Sequence, residues 1–314
     1  MRAIVTGAAG FIGSTLASRL VVGGHDVVGL DVFSSYYDPE IKQANIARIP
    51  RDRFQLIEAD LKYVELSRIL RDGDVVFHLA AQAGVTTSWG PTFETYVADN
   101  VLATQRLLDA SLAAGVHRFV YASSSSVYGS HVGFPTTEDS PLRPFSPYGV
   151  SKLAAEHLCA VYADNFGLST ASLRLFTVYG PAQRPDMAFS RFIRAGLVGD
   201  EITVHGDGSQ LRDFTYVDDV VEAAMRVATM PITSGSVFNV SGGSSVSVLQ
   251  VLDVLREYLG DLRVLHGPEL PGDVPRTGGS NQRLRDELGW VPSVTLREGL
   301  ARQVEWMRAG GSAR

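Results

Sequence analysis

Two short stretches of this chain carry residue types that can do acid–base chemistry. Tyr148 and Lys152 are four positions apart, so on a helix their side chains project from the same face. A tyrosine has an ordinary pKa of about 10, and a nearby ammonium favours the phenolate and lowers that value. Ser124, in a run of serines at 123–126, could share a proton with the same substrate hydroxyl. Together these side chains could deprotonate an alcohol while its carbon loses hydride.

A tyrosine and a lysine four residues apart also occur on ordinary helices, so this hypothesis depends on a dinucleotide site elsewhere in the chain. The first residues predict such a site. An apolar strand at 2–6 is followed by a glycine-rich turn at 7–13 and then by a helical pattern. A second strand at 25–31 ends in Asp31. This order is typical of the start of a dinucleotide-binding fold.

The three glycines of the turn and the acid that ends the second strand each have a physical role in such a fold. Gly7 permits a tight turn, Gly10 lets backbone amides approach a pyrophosphate, and Gly13 allows close helix packing. Asp31 could bind both hydroxyls of the adenine ribose and would repel a 2′-phosphate, so we expect NAD rather than NADP. The expected cofactor contacts are Gly7, Gly10, Phe11, Ile12, Gly13, Asp31, Asp60, Leu61, Leu79, Ala80, Ala81, Asn100, Tyr148 and Lys152.

Composition narrows the class of protein. The 314 residues are 45% hydrophobic and carry a net charge of −6 without a basic run, so neither nucleic acid nor an anionic membrane is expected as a partner. No apolar stretch approaches 18 residues, and Met1 leads directly into a strand, which predicts a cytoplasmic protein without a membrane span or signal peptide. Cys159 is the only cysteine, and we expect it in the core; no metal is expected.

Strands and helices alternate through the first 175 residues. Further strands are predicted at 53–60, 74–79, 118–123 and 170–175, with long helices near 91–114 and 147–166. His78 lies within an apolar strand and is interpreted as a hydrogen-bonded core residue. The pattern predicts an α/β fold with a Rossmann-type doubly wound parallel sheet and a smaller C-terminal substrate-binding domain. The predicted division is residues 1–175 with 213–240 returning to the NAD domain, 176–212 with 241–308 as the nucleotide-sugar domain, and 309–314 as a tail.

The glycine turn, the Tyr148/Lys152 pair and the serine run resemble the extended short-chain dehydrogenase/reductase superfamily. Within it, the chain is most similar to the UDP-glucuronate 4-epimerases, through residues 36–39, 79–85 and 176–188. The resemblance implies an isomerase in which Tyr148 deprotonates the sugar 4-hydroxyl, Ser124 and Ser125 bind the reacting oxygen, and Lys152 supports the tyrosine. It also implies a homodimer through the two long helices. The apolar positions Leu107, Leu158 and Val161 are expected to point outward and would support this pairing, although core packing explains them equally well.

Arg184 is the main indication of the substrate, because a guanidinium can bind a carboxylate through two parallel hydrogen bonds. Thr177 is its expected partner, although an exposed loop position would also explain an arginine there. Arg212 is expected to bind the diphosphate; Arg276 is a second candidate, which a solvated loop explains equally well. The expected substrate contacts are Thr86, Ser125, Ser126, Thr177, Arg184, Met187, Arg191, Arg212, Asp273 and Arg276.

Related nucleotide-sugar dehydratases and decarboxylases typically carry carboxylates where this chain has Ser125 and Ser126, so it lacks their acid and base for elimination. The sequence therefore predicts NAD-dependent conversion of UDP-glucuronate to UDP-galacturonate through a 4-keto sugar. The alternatives are 4-epimerisation of UDP-glucose or a UDP-N-acetylhexosamine, and decarboxylation of UDP-glucuronate. A non-catalytic sensor of NAD and nucleotide sugar is the alternative of a different class; the intact Ser124, Tyr148 and Lys152 set argues against it.

Overall fold

The structure, a computed structural model, describes residues 1–130, 133–268 and 274–311. In these ranges the strands are β1 (Arg2–Thr6), β2 (Asp26–Asp31), β3 (Phe54–Glu58), β4 (Val75–His78), β5 (Arg118–Ser124), β6 (Thr170–Leu175), β7 (Thr177–Tyr179), β8 (Glu201–His205), β9 (Leu211–Tyr216), β10 (Ser236–Val240), β11 (Ser245–Ser247) and β12 (Arg263–Gly267). The α-helices are α1 (Phe11–Val22), α2 (Pro39–Ala47), α3 (Phe93–Tyr96), α4 (Ala103–Ala114), α5 (Pro147–Phe166), α6 (Ala188–Val198), α7 (Val217–Thr229), α8 (Val248–Leu259), α9 (Gln282–Leu288) and α10 (Leu296–Arg308).

Seven parallel strands form the central sheet in the order β10-β6-β5-β4-β1-β2-β3. The chain runs outward from β1 in one direction through β2 and β3, and in the other through β4, β5 and β6. The strand order therefore reverses between β1 and β4, which leaves a crevice outside their carboxyl ends. The doubly wound Rossmann-type sheet predicted from the sequence is confirmed.

Both faces of the central sheet are buried, as the apolar strands predict. Ala3 and Val5 of β1 face a cluster that includes side chains of α1 and α7, whereas Ile4 faces a cluster that includes side chains of α4 and α5. Cys159 of α5 belongs to the second cluster and is 1% exposed, which confirms its predicted place in the core. Among the described residues, no helix is both long and apolar enough to cross a membrane.

The helix predicted over 91–114 differs from the structure. It consists of α3, a π-helical segment at Val97–Leu102 and α4, with a 3₁₀ turn at Gly90–Thr92 before it. Leu107, predicted to point outward, is fully buried in the core because its face of α4 packs against the sheet. Leu158 is half-buried, and Val161 is 48% exposed.

The C-terminal part of the chain adds two small sheets. One has the order β11-β9-β7, and the other pairs β12 with β8. The strand β10 pairs with β6 in the central sheet, whereas β9, although it precedes β10, lies in the three-stranded sheet. The division into domains stays a prediction, and residues 312–314 of the predicted tail lie outside the described residues.

Candidate active site

A cleft of about 460 Å³ lies at the carboxyl ends of β1, β4 and β5. The glycine turn between β1 and α1 forms one wall of it. Gly7 has a φ of +70°, and a Cβ there would lie 2.8 Å from the Ala80 nitrogen; a Cβ on Gly13 would lie 2.1 Å from the Gly7 oxygen. No side chain fits at either position, so the turn, α1 and the end of β4 can lie in direct backbone contact. This close packing leaves room for a pyrophosphate at the start of α1, as a dinucleotide requires.

The acid at the end of β2 is held in place by backbone amides. Asp31 accepts hydrogen bonds from Ala9 N at 3.0 Å and from Phe33 N at 2.8 Å. Lys42 of α2 approaches it, with Nζ 3.9 Å from Asp31 Oδ1. The carboxylate is thereby fixed against the glycine turn, where it lines the cleft.

Most of the residues predicted to contact a cofactor line this cleft, and Asn100 supports the lining instead. Asn100 is 1% exposed and lies in the π-helical segment. Its amide accepts a hydrogen bond from Gln82 N at 2.7 Å and donates to Gln82 O at 3.0 Å and to Ser151 Oγ at 2.9 Å. The side chain therefore joins the segment after β4 to α5. The lining members are Gly7, Gly10, Phe11, Ile12, Gly13, Asp31, Asp60, Leu61, Leu79, Ala80, Ala81, Tyr148 and Lys152.

His78 is a buried structural residue, as predicted. Its ring nitrogens lie 2.7 Å from Thr6 Oγ1 and 2.9 Å from Thr104 Oγ1, and burial lowers its pKa to about 3. Thr104 donates to the Asn100 carbonyl, so it must accept from His78 Nε2, which assigns the neutral tautomer protonated there. Through Thr6 Oγ1, which accepts from Leu79 N, His78 stabilises the start of the segment that follows β4.

The cap of α5 brings Tyr148 to the end of β5. Ser146 accepts a hydrogen bond from Gly149 N at 3.1 Å, and Pro147 occupies the first helical position, so α5 begins with Tyr148 in its first turn. The Tyr148 hydroxyl shares a hydrogen bond with Ser124. A phenolate can only accept, so Ser124 donates its hydroxyl hydrogen to the deprotonated tyrosine while its own oxygen accepts from Ser126 N at 3.1 Å.

Burial raises the pKa of Tyr148, while the hydrogen bond from Ser124 and then the charge of Arg184 lower it. The sequence predicts that Lys152 provides this lowering. In the structure Lys152 is 4% exposed, its Nζ lies 4.6 Å from the centre of the Tyr121 ring, and burial lowers its own pKa to about 7. A lysine with such a pKa can exchange its proton near neutral pH, so it suits a role in acid–base chemistry.

A buried ion pair lies next to the end of β5, which carries Ser124. Arg174 Nη2 lies 2.6 Å from Glu156 Oε1, and both residues are nearly inaccessible. Glu156 also accepts a hydrogen bond at 2.5 Å from Oγ of Ser123, the residue directly before Ser124. Arg174 donates a hydrogen bond to the Tyr128 hydroxyl at 2.7 Å. These bonds connect β5, β6 and α5, and thereby fix the backbone on both sides of Ser124.

The other end of the cleft holds the side chains predicted for the sugar. Arg184 lies in its wall with Tyr148, and its guanidinium is 5.5 Å from the centre of the Tyr36 ring. The guanidinium donates from Nε to Asp186 Oδ1 at 3.0 Å and from Nη2 to Asp186 Oδ2 at 2.8 Å. These bonds and the charge of Asp186 raise the pKa of Arg184 above its usual range, so it remains a fixed cation. The predicted sugar contacts that line the cleft are Ser125, Ser126, Thr177, Arg184 and Met187.

Four of the remaining predicted substrate contacts are described by the structure, and these four do not line the cleft. Thr86 is exposed beside its rim, and Arg191 is exposed on α6. Arg212 lies on β9, and Arg276 is brought beside that strand by a bridge to Leu211, with its guanidinium over the Phe134 ring. Asp273 lies outside the described residues.

Some residues of the site were given no role in the sequence analysis. Lys42, Tyr36 and Gly84 line the cleft, and Asp186 pairs with Arg184. The position of Asp186, two residues after Arg184, is the one sequence signal that could have indicated its role. Lys42 lies in α2, the element that follows Asp31, and no spacing rule indicates that the two side chains meet.

The chain is similar to known proteins over nearly its whole length. A family model described as the NAD dependent epimerase/dehydratase family matches residues 3–241. The UDP-glucose 4-epimerase of Mycolicibacterium smegmatis is 40% identical over 98% of this chain and 99% of its own length. The UDP-glucuronic acid 4-epimerase of Bacillus cereus, solved with UDP-glucuronic acid and NAD, is 40% identical, covers 98% of this chain and 99% of its own, and superposes with a TM-score of 0.95. MoeE5, solved with UDP-glucuronic acid and NAD, is 44% identical with a TM-score of 0.89 over 99% of this chain and 100% of its own; it has also been solved with UDP-glucose and NAD.

Proposed function

The chain belongs to the NAD-dependent epimerase/dehydratase family, and from this membership we propose that it is an isomerase that converts UDP-glucuronate to UDP-galacturonate with NAD as its cofactor. The observation that carries the proposal is the position of Arg184 in the same cleft as Tyr148, Ser124 and the glycine turn. An alcohol-oxidising centre and a carboxylate-binding cation thus line a single cleft. The UDP-glucuronic acid 4-epimerase of Bacillus cereus, similar over nearly the whole chain, supports the assignment.

The cofactor end of the cleft fits NAD. Backbone amides at the start of α1 would hold the pyrophosphate, and the fixed Asp31 carboxylate would accept hydrogen bonds from the adenine ribose. The chemistry that NAD supplies when bound is reversible acceptance of hydride from sugar carbon 4. Tyr148 takes the proton of the 4-hydroxyl and later returns it to the oxygen, and Ser124 holds that oxygen. Lys152, which lines the same cleft, would donate to the nicotinamide ribose and would support the phenolate.

The sugar end explains why the acid would stay intact. The 4-keto form of glucuronate is a β-keto acid and tends to lose CO2. Arg184, with Thr177 in the same lining, would hold the carboxylate so that its bond to carbon 5 lies out of line with the ketone π system. The ketone can then turn over and accept hydride on its other face before carbon–carbon cleavage occurs.

The cleft gives little support for an elimination reaction of the kind that a nucleotide-sugar dehydratase catalyses. In the described lining, Ser125 and Ser126 occupy the 3₁₀ turn after β5. The lining carboxylates are those of Asp31, Asp60 and Asp99, at the dinucleotide end, where Lys42 and Lys62 pair with them. A dehydratase would need an acid or base beside the sugar carbons 5 and 6.

A neutral sugar is the second candidate, because MoeE5 has been solved with UDP-glucose as well as with UDP-glucuronic acid. Incubation of the protein with UDP-glucuronate, UDP-glucose and UDP-N-acetylglucosamine, followed by NMR, separates these substrates. We expect UDP-galacturonate as the main product. A UDP-pentose as the main product would identify a decarboxylase, and NAD binding without turnover of any sugar would favour a sensor.

We also propose a homodimer in which α4 and α5 pair with their copies. These two helices pack together, and Leu102, Val150 and Val161 leave about half of their side chains exposed on them or at the adjoining π-helical segment. Light scattering at micromolar concentration should give twice the chain mass, and a monomer would reject the pairing. The cytoplasmic location and the two-domain division stay predictions.

A further inference from the structure

Within the described ranges, Arg184 donates hydrogen bonds from one edge of its guanidinium. The guanidinium has five N–H groups in one plane, and Nε with one N–H of Nη2 donates to the two oxygens of Asp186. Among the residues that the structure describes, no hydrogen bond from Arg184 Nη1 is found. The edge formed by Nη1 and the outer N–H of Nη2 can therefore still donate two parallel bonds, which is the geometry that matches a carboxylate.

Asp186 is itself held in place from two sides. It accepts both bonds from Arg184, and the Tyr36 hydroxyl also forms a hydrogen bond with it. The Tyr36 ring lies beneath the guanidinium, 5.5 Å from ring centre to Arg184 Cζ. The arginine side chain is thus fixed by a carboxylate on its inner edge and an aromatic face below it, before any sugar arrives.

We propose that Asp186 is a positioning residue that holds Arg184 so that its outer edge receives the carboxylate of the sugar. This inference rests on the proposed function. A long arginine side chain loses rotamer freedom when it binds a ligand, and a resident carboxylate that has already fixed it reduces that cost. The orientation of the guanidinium also sets the plane of the bound carboxylate, and thereby the alignment that decides between ketone reduction and loss of CO2.

The opposite interpretation of this ion pair is that Asp186 competes with the sugar carboxylate for Arg184. If Asp186 occupied the edge that the sugar needs, its removal would strengthen binding of an acidic sugar. The observed bonds use the Nε side of the guanidinium, which leaves the outer edge available. The two interpretations therefore predict effects of opposite sign.

The test measures binding of UDP-glucuronate and UDP-glucose by calorimetry to NAD-loaded protein carrying Tyr148→Phe, so that neither ligand is converted during the titration. Adding Asp186→Asn should weaken UDP-glucuronate binding about tenfold and UDP-glucose binding by less than about twofold. In an Arg184→Ala background, Asp186→Asn should weaken UDP-glucuronate binding no further. Asp253→Asn, which removes the same charge from the exposed Arg256 pair, is the matched control and should change neither affinity.

Three results would overturn the proposal: tighter UDP-glucuronate binding by Asp186→Asn when Arg184 is present, equal losses for the two sugars, or the same loss when Arg184 is absent. With Tyr148 intact, Asp186→Asn should also raise the fraction of UDP-pentose among the products, which a general loss of stability would not do. The binding cycle does not depend on turnover. Absence of epimerisation by the unmodified protein would reject the proposed function, while the affinities would still decide the role of Asp186.

Discussion

Asp31 and Lys42 face each other at the dinucleotide end of the cleft, with Lys42 Nζ 3.9 Å from Asp31 Oδ1 and both side chains 7% exposed. Lys42 also donates to the backbone oxygen and to the hydroxyl of Ser34, each at 3.0 Å. A buried cation next to the acid proposed to bind the adenine ribose matters for cofactor choice, because the cation could pair with a 2′-phosphate once the acid is removed.

The first prediction concerns that choice. The protein should bind NAD far better than NADP, and Asp31→Ala should relax the preference, because the repulsion of the 2′-phosphate is lost while Lys42 remains. Asp31→Ala combined with Lys42→Ala should lose most of the gain in NADP binding. Titration of the cofactor-free protein with both dinucleotides measures these affinities. Equal binding of NAD and NADP by the unmodified protein would remove Asp31 from the ribose site.

The second prediction concerns the base. Tyr148→Phe should keep the fold and bound NAD but lower turnover by roughly 10²–10⁴-fold, as expected for loss of a general base. Tyr63→Phe is the matched control, because Tyr63 is 82% exposed and should be dispensable. Turnover is measured by NMR of the nucleotide sugars. Near-normal turnover of Tyr148→Phe would show that another group moves the proton.

The third prediction uses Asp213, which is 1% exposed and accepts hydrogen bonds from Ser241 Oγ at 2.6 Å and Gly242 N at 2.8 Å. Burial raises its pKa from 3.8 to about 6. The folded state therefore binds the Asp213 proton more tightly than the unfolded state does. Protonated Asp213 therefore stabilises the folded state below about pH 4, and this stabilisation is lost as pH rises through 6. The free energy of unfolding falls over that range by at most about 3 kcal/mol.

Asp213→Asn cannot ionise, so its stability relative to the unmodified protein should improve between pH 4.5 and pH 7.5. Thermal unfolding at the two pH values measures the difference. The exposed Asp253→Asn serves as a control whose difference should stay flat. A constant offset for Asp213→Asn would mean that Asp213 is ionised throughout that range.

Local patterns were sufficient for the first half of the fold. The glycine turn, the alternating strands and the helix predicted near 147–166 each follow from short-range chemistry, so their predicted positions agree with the structure within two residues. The interpretation of His78 as a core residue also holds, because an apolar strand has few other uses for a histidine. The side chains at the carboxyl ends of β1, β4 and β5 could be predicted to meet because neighbouring parallel strands end at one edge.

The rest depends on contacts between distant parts of the chain. No sequence periodicity indicates the π-helical segment at Val97–Leu102. Asn100 in this segment forms hydrogen bonds with Gln82 and Ser151, which lie far from it along the chain or in another helix. A leucine on a helix can face the core or a partner subunit, and the residue type alone does not decide between them. Leu107 faces the core because of the way α4 packs against the sheet. The C-terminal half has short strands in two small sheets, so residue spacing could not tell which of its arginines approach the cleft.

The last prediction tests Arg184 directly. Arg184→Ala should weaken UDP-glucuronate binding by roughly 1.5–3 kcal/mol, the value of a charge-assisted pair, and should affect UDP-glucose much less. The variant also leaves the Asp186 carboxylate without its cation beside the carboxylate of the sugar, so repulsion adds to the loss. Arg184→Ala with Asp186→Asn should therefore recover part of the affinity. The released 4-keto acid can rotate into alignment and lose CO2, so Arg184→Ala should produce a UDP-pentose that the unmodified protein makes little of. Equal losses on both sugars without added CO2 would leave Arg184 as a structural residue of the loop before α6, and the preference for an acidic sugar would lose its main physical support.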